Sequence, residues 1–113
     1  MKQGISAIVY PVKDLAKAKA IYSKFLGVEP YADAPFYVGY RVGEHEVGLD
    51  PNGFKTSSGP IAYTDVADIK ASLKTLLDAG AQLVQDPTDV GGGLLIAQVK
   101  DADGSVIGLR QGR

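Results

Sequence analysis

The sequence contains no cysteine, which excludes disulfides, thiolate metal sites and a cysteine nucleophile together. Its 113 residues are enough for one domain whose hydrophobic core supports folding without covalent cross-links. Nothing in this composition requires an oxidising compartment.

Charge of one sign is not in excess either, since 12 lysines and arginines stand against 13 aspartates and glutamates, for a formal net charge of −1. The absence of a basic run that could follow a phosphate backbone predicts that nucleic acid is not a partner. The apolar N-terminal stretch is too short for a signal-peptide core or a membrane span. We therefore expect no membrane partner and a cytoplasmic location.

One pattern does occur twice. Residues 12–15 and 66–69 share the order Val-x-Asp-Leu/Ile, and each opens a helical stretch, which ends at Gly27 in the first copy and Gly80 in the second. Asp14 and Asp68 stand where N-caps belong. An apolar strand precedes each helix and a strand-rich segment follows it. This predicts two βαβββ modules in one domain, over about residues 1–50 and 60–113, joined by a linker at about 51–59. The predicted apolar stripes of the helices comprise Leu15, Ala18, Ile21, Tyr22, Phe25 and Leu26, and then Ile69, Leu73, Leu76 and Leu77.

The two-residue turn Gly43-Glu44 predicts a hairpin between strands over residues 36–42 and 45–49. Such a turn determines the register, so that Arg41 lies opposite Glu46. The face that packs under a helix then carries Phe36, Val38, Tyr40, Val42, Val47 and Leu49, and the open face carries Tyr37, Gly39, Arg41, Glu46 and Gly48.

A second hairpin is predicted over residues 94–100 and 105–110, after a short strand at 82–85. If its turn includes Ser105, the core side carries Ala97, Val99, Ile107 and Leu109, and the concave side carries Ile96, Gln98, Gly108 and Arg110. A shift of one residue would invert this assignment. The run Gly91–Gly93 lacks the strand-to-helix context of a phosphate loop, so we interpret it as a hinge and, as a hypothesis, a lid.

The duplicated module, the helix ending YSKFLG at residues 22–27 and the late segment DADGSVIGL at residues 101–109 resemble the vicinal oxygen chelate superfamily. That family includes glyoxalase I, extradiol dioxygenases, fosfomycin-modifying enzymes and bleomycin-resistance proteins. The resemblance implies an α+β fold in which two tandem βαβββ modules form a cup-shaped mixed sheet with helices on its convex face. It also implies a homodimer.

Enzymes of that family usually hold a divalent metal with one side chain from the first and last strand of each module. The resemblance places these four positions at Ala7, Gly48, Ile61 and Gly108. None of the four side chains offers a lone pair to a metal. We therefore expect no metal site of the family type and no cofactor, which implies a metal-free branch resembling the bleomycin-resistance proteins.

The candidates for ligand binding are the polar and aromatic residues expected in the cup, namely Tyr37, Arg41, Glu46, Tyr63, Gln98 and Arg110. Tyrosines on the concave side would stack against a flat ligand, whereas core tyrosines would need a buried hydroxyl partner. Arg41 and Glu46 form an exposed cross-strand ion pair or, if enclosed, orient a ligand. His45, the single histidine, is expected at the rim or helix side of its hairpin, with a role as base or ligand as the alternative. Tyr22 is expected in the core.

Three functions are compatible with this set. The first is a metal-independent binding protein that sequesters a small molecule, specifically an aromatic natural product or antibiotic. The second is an enzyme, either with metal ligands at other positions or as a metal-free lyase or isomerase. In the metal-free version Glu46 is the base and Arg41, Arg110 or Tyr63 the electrophile. The third is an interaction module without a small ligand, for which the sequence offers little support.

Overall fold

The computed structural model describes residues 4–112, which form eight strands, two α-helices and one short 3₁₀ helix. The first half contains β1 (Ala7–Pro11), α1 (Leu15–Leu26), β2 (Ala32–Ala34), β3 (Tyr37–Val42) and β4 (His45–Asp50), followed by the 3₁₀ helix (Gly53–Lys55). The second half contains β5 (Ile61–Asp65), α2 (Ile69–Asp78), β6 (Gln82–Asp89), β7 (Leu95–Lys100) and β8 (Val106–Gln111). The outermost residues of the two predicted modules, 1–3 and 113, lie outside the described part.

The chain packs as two compact units, which we call the first unit (residues 6–61) and the second unit (residues 62–112 with residues 4 and 5). Strand order is β2-β3-β4-β1 in the first half and, in equivalent strands, β6-β7-β8-β5 in the second. In each half the first strand runs parallel to the last, and the remaining pairs are antiparallel. The fold class is therefore α+β, with the βαβββ module repeated as predicted.

Helix α1 begins and ends where the sequence predicts. The Asp14 carboxylate accepts a hydrogen bond from the Lys17 amide at 3.1 Å, and Gly27 ends the helix in a left-handed conformation with φ of 74°. The predicted stripe is too wide, however, because Ile21 and Phe25 are 66% and 73% exposed. Leu15, Ala18, Tyr22 and Leu26 follow one another at spacings of three and four residues and pack on the core, which turns Ile21 and Phe25 to the side.

The core of the first unit is centred on a fully buried tyrosine. Tyr40 has no exposed surface, and its hydroxyl is hydrogen-bonded to Ser23 Oγ at 2.8 Å and to the Lys19 carbonyl at 3.1 Å. These two partners let a polar group remain inside an apolar cluster. Val12, Val38 and Leu49 complete that cluster.

The predicted β3–β4 register is confirmed in all five pairs, from Val42 opposite His45 to Val38 opposite Leu49. The two faces divide as expected, with Val38, Tyr40 and Leu49 buried on the side of α1. Phe36 is the exception at 70% exposed, because β3 begins only at Tyr37 and the pleat does not constrain the residue before it.

Strand β2 completes the three strands that the βαβββ module requires after α1, but its residues were not predicted. It has three residues, Ala32–Ala34, and pairs with the start of β3. Lys19 of α1 forms a salt bridge with Asp33 of β2, and this hydrogen bond raises the pKa of the Lys19 ammonium group. A strand of only three residues, alanine and aspartate, has low strand propensity, so its position depends on the ladder with β3 and on this contact.

The second unit repeats the arrangement. Asp68 caps α2 by accepting from the Ala71 amide at 3.2 Å. Ile69 and Leu73 of α2 pack against a buried set comprising Ala97, Val99 and Leu109. The predicted register of the β7–β8 hairpin is confirmed, with Val99 opposite Ile107 and Ala97 opposite Leu109, but Ile107 is 37% exposed and does not belong to the core.

Two connecting segments differ from their predictions. Strand β6 covers eight residues rather than four, and register shifts on either side of Gln85 interrupt its ladder with β7. The turn-rich segment after β4 contains a 3₁₀ helix whose Gly53 is buried against Pro11; a Cβ at residue 53 would lie 2.9 Å from the Pro11 Cα. Within residues 4–112, neither helix combines the length and hydropathy needed to cross a membrane.

Candidate functional site

The open face of the β3–β4 hairpin carries a group of polar and aromatic side chains that we call the first polar cluster: Tyr31, Tyr37, Arg41 and Glu46. Strand alternation places Tyr37, Arg41 and Glu46 on the side away from α1. The hydroxyls of Tyr31 and Tyr37 both donate to Glu46 Oε2, at 2.7 Å and 3.2 Å. Two O–H donors thus converge on one carboxylate oxygen, which lies between aromatic rings.

Arg41 stacks on an aromatic ring rather than pairing with Glu46. It lies directly opposite Glu46 in the ladder, but its guanidinium carbon is 4.8 Å from the centroid of the Tyr31 ring. A cation over the face of a tyrosine ring is attracted by the ring quadrupole. Tyr31 thus contacts both charged residues of the cluster: its hydroxyl donates to the Glu46 carboxylate, and its ring makes a cation–π contact with Arg41.

The Tyr37 ring lies on Gly48 of the neighbouring strand. A Cβ added at residue 48 would clash with the Tyr37 hydroxyl and lie 2.7 Å from its Cζ. The same Cβ at Gly39 would lie 3.0 Å from Cε2 of both Tyr31 and Tyr37. The two adjacent glycines therefore make room for the two rings, because any side chain there would displace them.

The second unit carries a comparable group, the second polar cluster, formed by Tyr63, Asp65, Gln98 and Arg110. Gln98 Nε2 donates to the Tyr63 hydroxyl at 2.9 Å, and both residues are 5% exposed. Arg110 makes a two-point contact with Asp65, from Nε to Oδ1 at 2.8 Å and from Nη2 to Oδ2 at 3.3 Å. The paired strands β5 and β8 place Asp65 opposite Arg110. The charge of Arg110 is thus matched by a carboxylate in the geometry that guanidinium prefers.

Tyr63 covers a glycine in the same way as Tyr37. It lies opposite Gly108 in the β5–β8 ladder, and a Cβ at residue 108 would clash with the edge of the Tyr63 ring and lie 2.9 Å from its Cζ. Each unit therefore has a tyrosine ring over the glycine that precedes the buried leucine of its last strand, Leu49 or Leu109.

All six predicted ligand-binding residues belong to these two clusters, three in each. The structure adds Tyr31 and Asp65, which the sequence interpretation missed. Tyr31 precedes the unpredicted β2 and had no strand pattern to place it. Asp65 could have been found, since it follows Ile61 and Tyr63 at the period-two spacing that already made Tyr63 a candidate.

His45 is exposed and lies on the opposite face of β4 from the alternating residue Glu46. It lines a shallow hollow of about 250 Å³ in the first unit, together with Leu26, Val42 and Val47. This agrees with the expected position at the helix side of the hairpin. Tyr22 is partly buried against the core, and this burial raises the pKa of its hydroxyl.

Comparison with protein families matches residues 4–109 to the glyoxalase/bleomycin resistance protein/dioxygenase superfamily. The chain belongs to this superfamily. No curated protein sequence matches the chain at a significant level.

Solved structures of the same fold include a glyoxalase/bleomycin resistance protein/dioxygenase superfamily member from Vibrio splendidus 12B01, with 18% identity over 94% of this chain and 97% of that one, and a TM-score of 0.71. A methylmalonyl-CoA epimerase from Mycobacterium tuberculosis has 20% identity over 97% and 88% of the two chains, and a TM-score of 0.75. A Legionella pneumophila protein described as NAD-dependent benzaldehyde dehydrogenase has 17% identity over 95% and 98%, and a TM-score of 0.77. Identities at this level show the shared fold alone.

The residues at the four positions that the resemblance implies for metal ligands do not fit a divalent metal. Ala7 and Ile61 are buried at 2% and 4% exposure and offer only hydrocarbon. Gly48 and Gly108 have no side chain, and tyrosine rings occupy the space that a ligand side chain would need. Residues 4–112 also contain no group of three or more histidine, cysteine, aspartate or glutamate side chains arranged to hold a metal ion.

Proposed function

We propose that this superfamily member binds a small molecule without a metal, and that the ligand is an aromatic natural product or antibiotic that the protein sequesters. The observation that carries the proposal is the pair of tyrosine rings over Gly48 and Gly108. At both positions, which the resemblance assigns to metal ligands, a tyrosine ring fills the space of a side chain; the half-buried Tyr37 ring offers a face for stacking, and the buried Tyr63 ring contributes shape.

The two polar clusters support the same function. Each combines tyrosine rings with few charged groups, and those groups already have partners: Tyr31 and Tyr37 for Glu46, and Asp65 for Arg110. Polar groups that are already held in place can orient a ligand without losing further conformational entropy when it binds. We propose Tyr37, Arg41, Glu46, Tyr63, Gln98 and Arg110 as ligand contacts, together with Tyr31.

The test is a thermal-shift screen of the purified protein against aromatic natural products, run in parallel with and without divalent metals. A true ligand at about a hundredfold over its Kd should stabilise the protein by ~2.7 kcal/mol, and added chelator should leave that shift unchanged. Elemental analysis should find no stoichiometric zinc, iron, manganese or nickel in the metal-supplemented protein. A bound equivalent of any of these metals, or a screen without a single shift, contradicts the proposal.

A second candidate is a metal-free enzyme in which Glu46 acts as a base. The superfamily supports it, since one of the solved structures of this fold is a methylmalonyl-CoA epimerase. The geometry supports it too, because the Glu46 carboxylate lies beside two hydroxyl donors and close to the ring that carries Arg41. A base of this kind would take a proton from a ligand and return it, while a hydroxyl or guanidinium group stabilises the charge that develops.

Glu46→Gln separates the two functions once a ligand is found. If the protein is an enzyme, turnover of that ligand should fall by about 10²–10⁴-fold while its Kd changes little, because the amide keeps the shape but cannot accept the proton. If the protein only binds, isotope exchange and product formation should be absent in both forms. The homodimer, the lack of nucleic-acid and membrane partners and the cytoplasmic location remain predictions.

A further inference from the structure

The side-chain amide of Gln98 contains a buried acceptor that the protein does not use. The residue is 5% exposed, and its Nε2 donates to the Tyr63 hydroxyl at 2.9 Å. Its Oε1 is buried, and no donor among the described residues reaches it. Buried carbonyl oxygens almost always have a partner in native proteins, because an unmade hydrogen bond destabilises the folded state. An acceptor kept without one therefore points to a donor supplied from outside the chain.

This acceptor faces the side of the sheet that carries the second polar cluster. Its neighbours along β7, Ala97 and Val99, are core residues packed with α2, so strand alternation turns Gln98 to the other face. Directly opposite on β8 is Gly108, which contributes no side chain. The amide is held by Tyr63 on its nitrogen side, so the oxygen is the end left without a partner among the described residues.

The charges around Gln98 favour a neutral ligand over an anion. The cation of the second polar cluster, Arg110, already makes a two-point contact with the Asp65 carboxylate. An anionic ligand would have to compete with Asp65 for that guanidinium, and it would place negative charge beside a carbonyl oxygen. A hydroxyl or N–H group instead meets the unused acceptor directly.

We propose that Gln98 Oε1 accepts a hydrogen bond from a hydroxyl or N–H group of a neutral ligand, and that this contact determines which aromatic compounds bind. The proposal rests on the proposed binding function and narrows its ligand class. Gln98 selects ligands that carry a hydroxyl or N–H group over those that carry an ether or a carboxylate. Tyr63 holds the Gln98 amide in position.

The test uses three matched probes, 2-naphthol, 2-methoxynaphthalene and 2-naphthoate, titrated into the whole protein at neutral pH. The naphthol should bind at least about tenfold more tightly than its ether, which corresponds to about 1.4 kcal/mol, and more tightly than the carboxylate. In spectra of ¹⁵N-labelled protein, the side-chain Nε2 resonance of Gln98 should shift with 2-naphthol and not with the ether.

Gln98→Met removes both polar atoms while keeping an unbranched side chain of similar length, so the preference for naphthol over ether should disappear. Gln82→Met on β6 is the control, because Gln82 is exposed, and it should keep the preference. The wild-type titrations and the Gln98 resonance decide the proposal even if Gln98→Met fails to fold.

Equal affinity for naphthol and ether, tighter binding of the naphthoate, or no binding of the naphthol overturns the inference. So does a crystal structure in which an ordered water stays on Oε1 when 2-naphthol is bound. None of these results overturns the binding function if other aromatic compounds shift the melting temperature in the broad screen. A screen without any ligand removes the binding function itself.

Discussion

Gly108→Ala is expected to destabilise the protein by about 1–3 kcal/mol, as an overpacked interior does. A Cβ at residue 108 would overlap the edge of the Tyr63 ring, which is 5% exposed and hydrogen-bonded to Gln98. The ring cannot turn away without breaking that bond or shifting β5 against β8. The free energy of unfolding from urea denaturation is the measurement, with circular dichroism as the probe.

Two further variants isolate the clash. Gly59→Ala is the matched control, because a Cβ there meets nothing within 4 Å, and it should change stability by less than about 0.5 kcal/mol. In the Tyr63→Ala background, Gly108→Ala should lose most of its effect on the free energy of unfolding. The double-mutant cycle should then give an interaction free energy of about 1 kcal/mol or more between the two positions. An unchanged effect in that background would mean that the ring is not what excludes a side chain at residue 108.

The equivalent change in the first unit should be milder. Tyr37 is only half-buried, so its ring has solvent-facing space to move into when Gly48 becomes alanine. We expect a loss of roughly 0.5–1.5 kcal/mol, which reflects mainly the weakened hydrogen bond from Tyr37 to Glu46. A larger loss of stability for Gly108→Ala than for Gly48→Ala would show that the burial of the covering tyrosine ring determines the size of the loss.

Leu49→Ala is expected to lower the free energy of unfolding by about 2–5 kcal/mol, a larger loss than either glycine substitution should cause. Leu49 has no exposed surface and packs with Val12, Val38 and Tyr40. Truncation therefore removes apolar contacts and leaves a cavity that the rigid β3–β4 ladder cannot close. Tyr40 lines that cavity, so its hydrogen bonds to α1 are also weakened.

The matched control removes the same atoms at an exposed site. Leu77 of α2 is 37% exposed, and alanine is at least as good a helix former, so Leu77→Ala should cost about 1 kcal/mol or less. Equal losses for the two leucines would contradict the assignment of Leu49 to the core. Urea unfolding curves of both variants supply the test, provided that the slope of the free energy of unfolding against urea concentration, the m value, is unchanged.

The features that were correct from the sequence rest on interactions between residues close together in the chain. The helix starts at Asp14 and Asp68 follow from an aspartate placed to cap the amides three residues on. The β3–β4 register follows from a two-residue turn, which allows one pairing only. The exclusion of a thiolate site follows from composition alone.

The predictions that were wrong concern residues whose burial or pairing depends on an element elsewhere in the chain. Ile21 and Phe25 have the hydrophobicity of core residues, but the angular width of the stripe that α1 buries depends on the sheet beneath it. Ile107 alternates correctly with Leu109 and is still exposed. Strand β2 has no signal of its own, since its ladder with β3 and the Lys19–Asp33 contact hold it in place.

The candidate site shows the same division. The sequence was enough to find six polar and aromatic residues on the open faces of the strands, and to find that Gly48 and Gly108 offer nothing to a metal, because side-chain alternation and ligand chemistry are local properties. Three other features depend on contacts between strands that are distant in the chain. They are the Tyr37 and Tyr63 rings over those glycines, the addition of Tyr31 and Asp65 to the clusters, and the buried Gln98 oxygen that has no donor within residues 4–112. Such contacts are decided by how the whole sheet packs, so only the tertiary structure contains them.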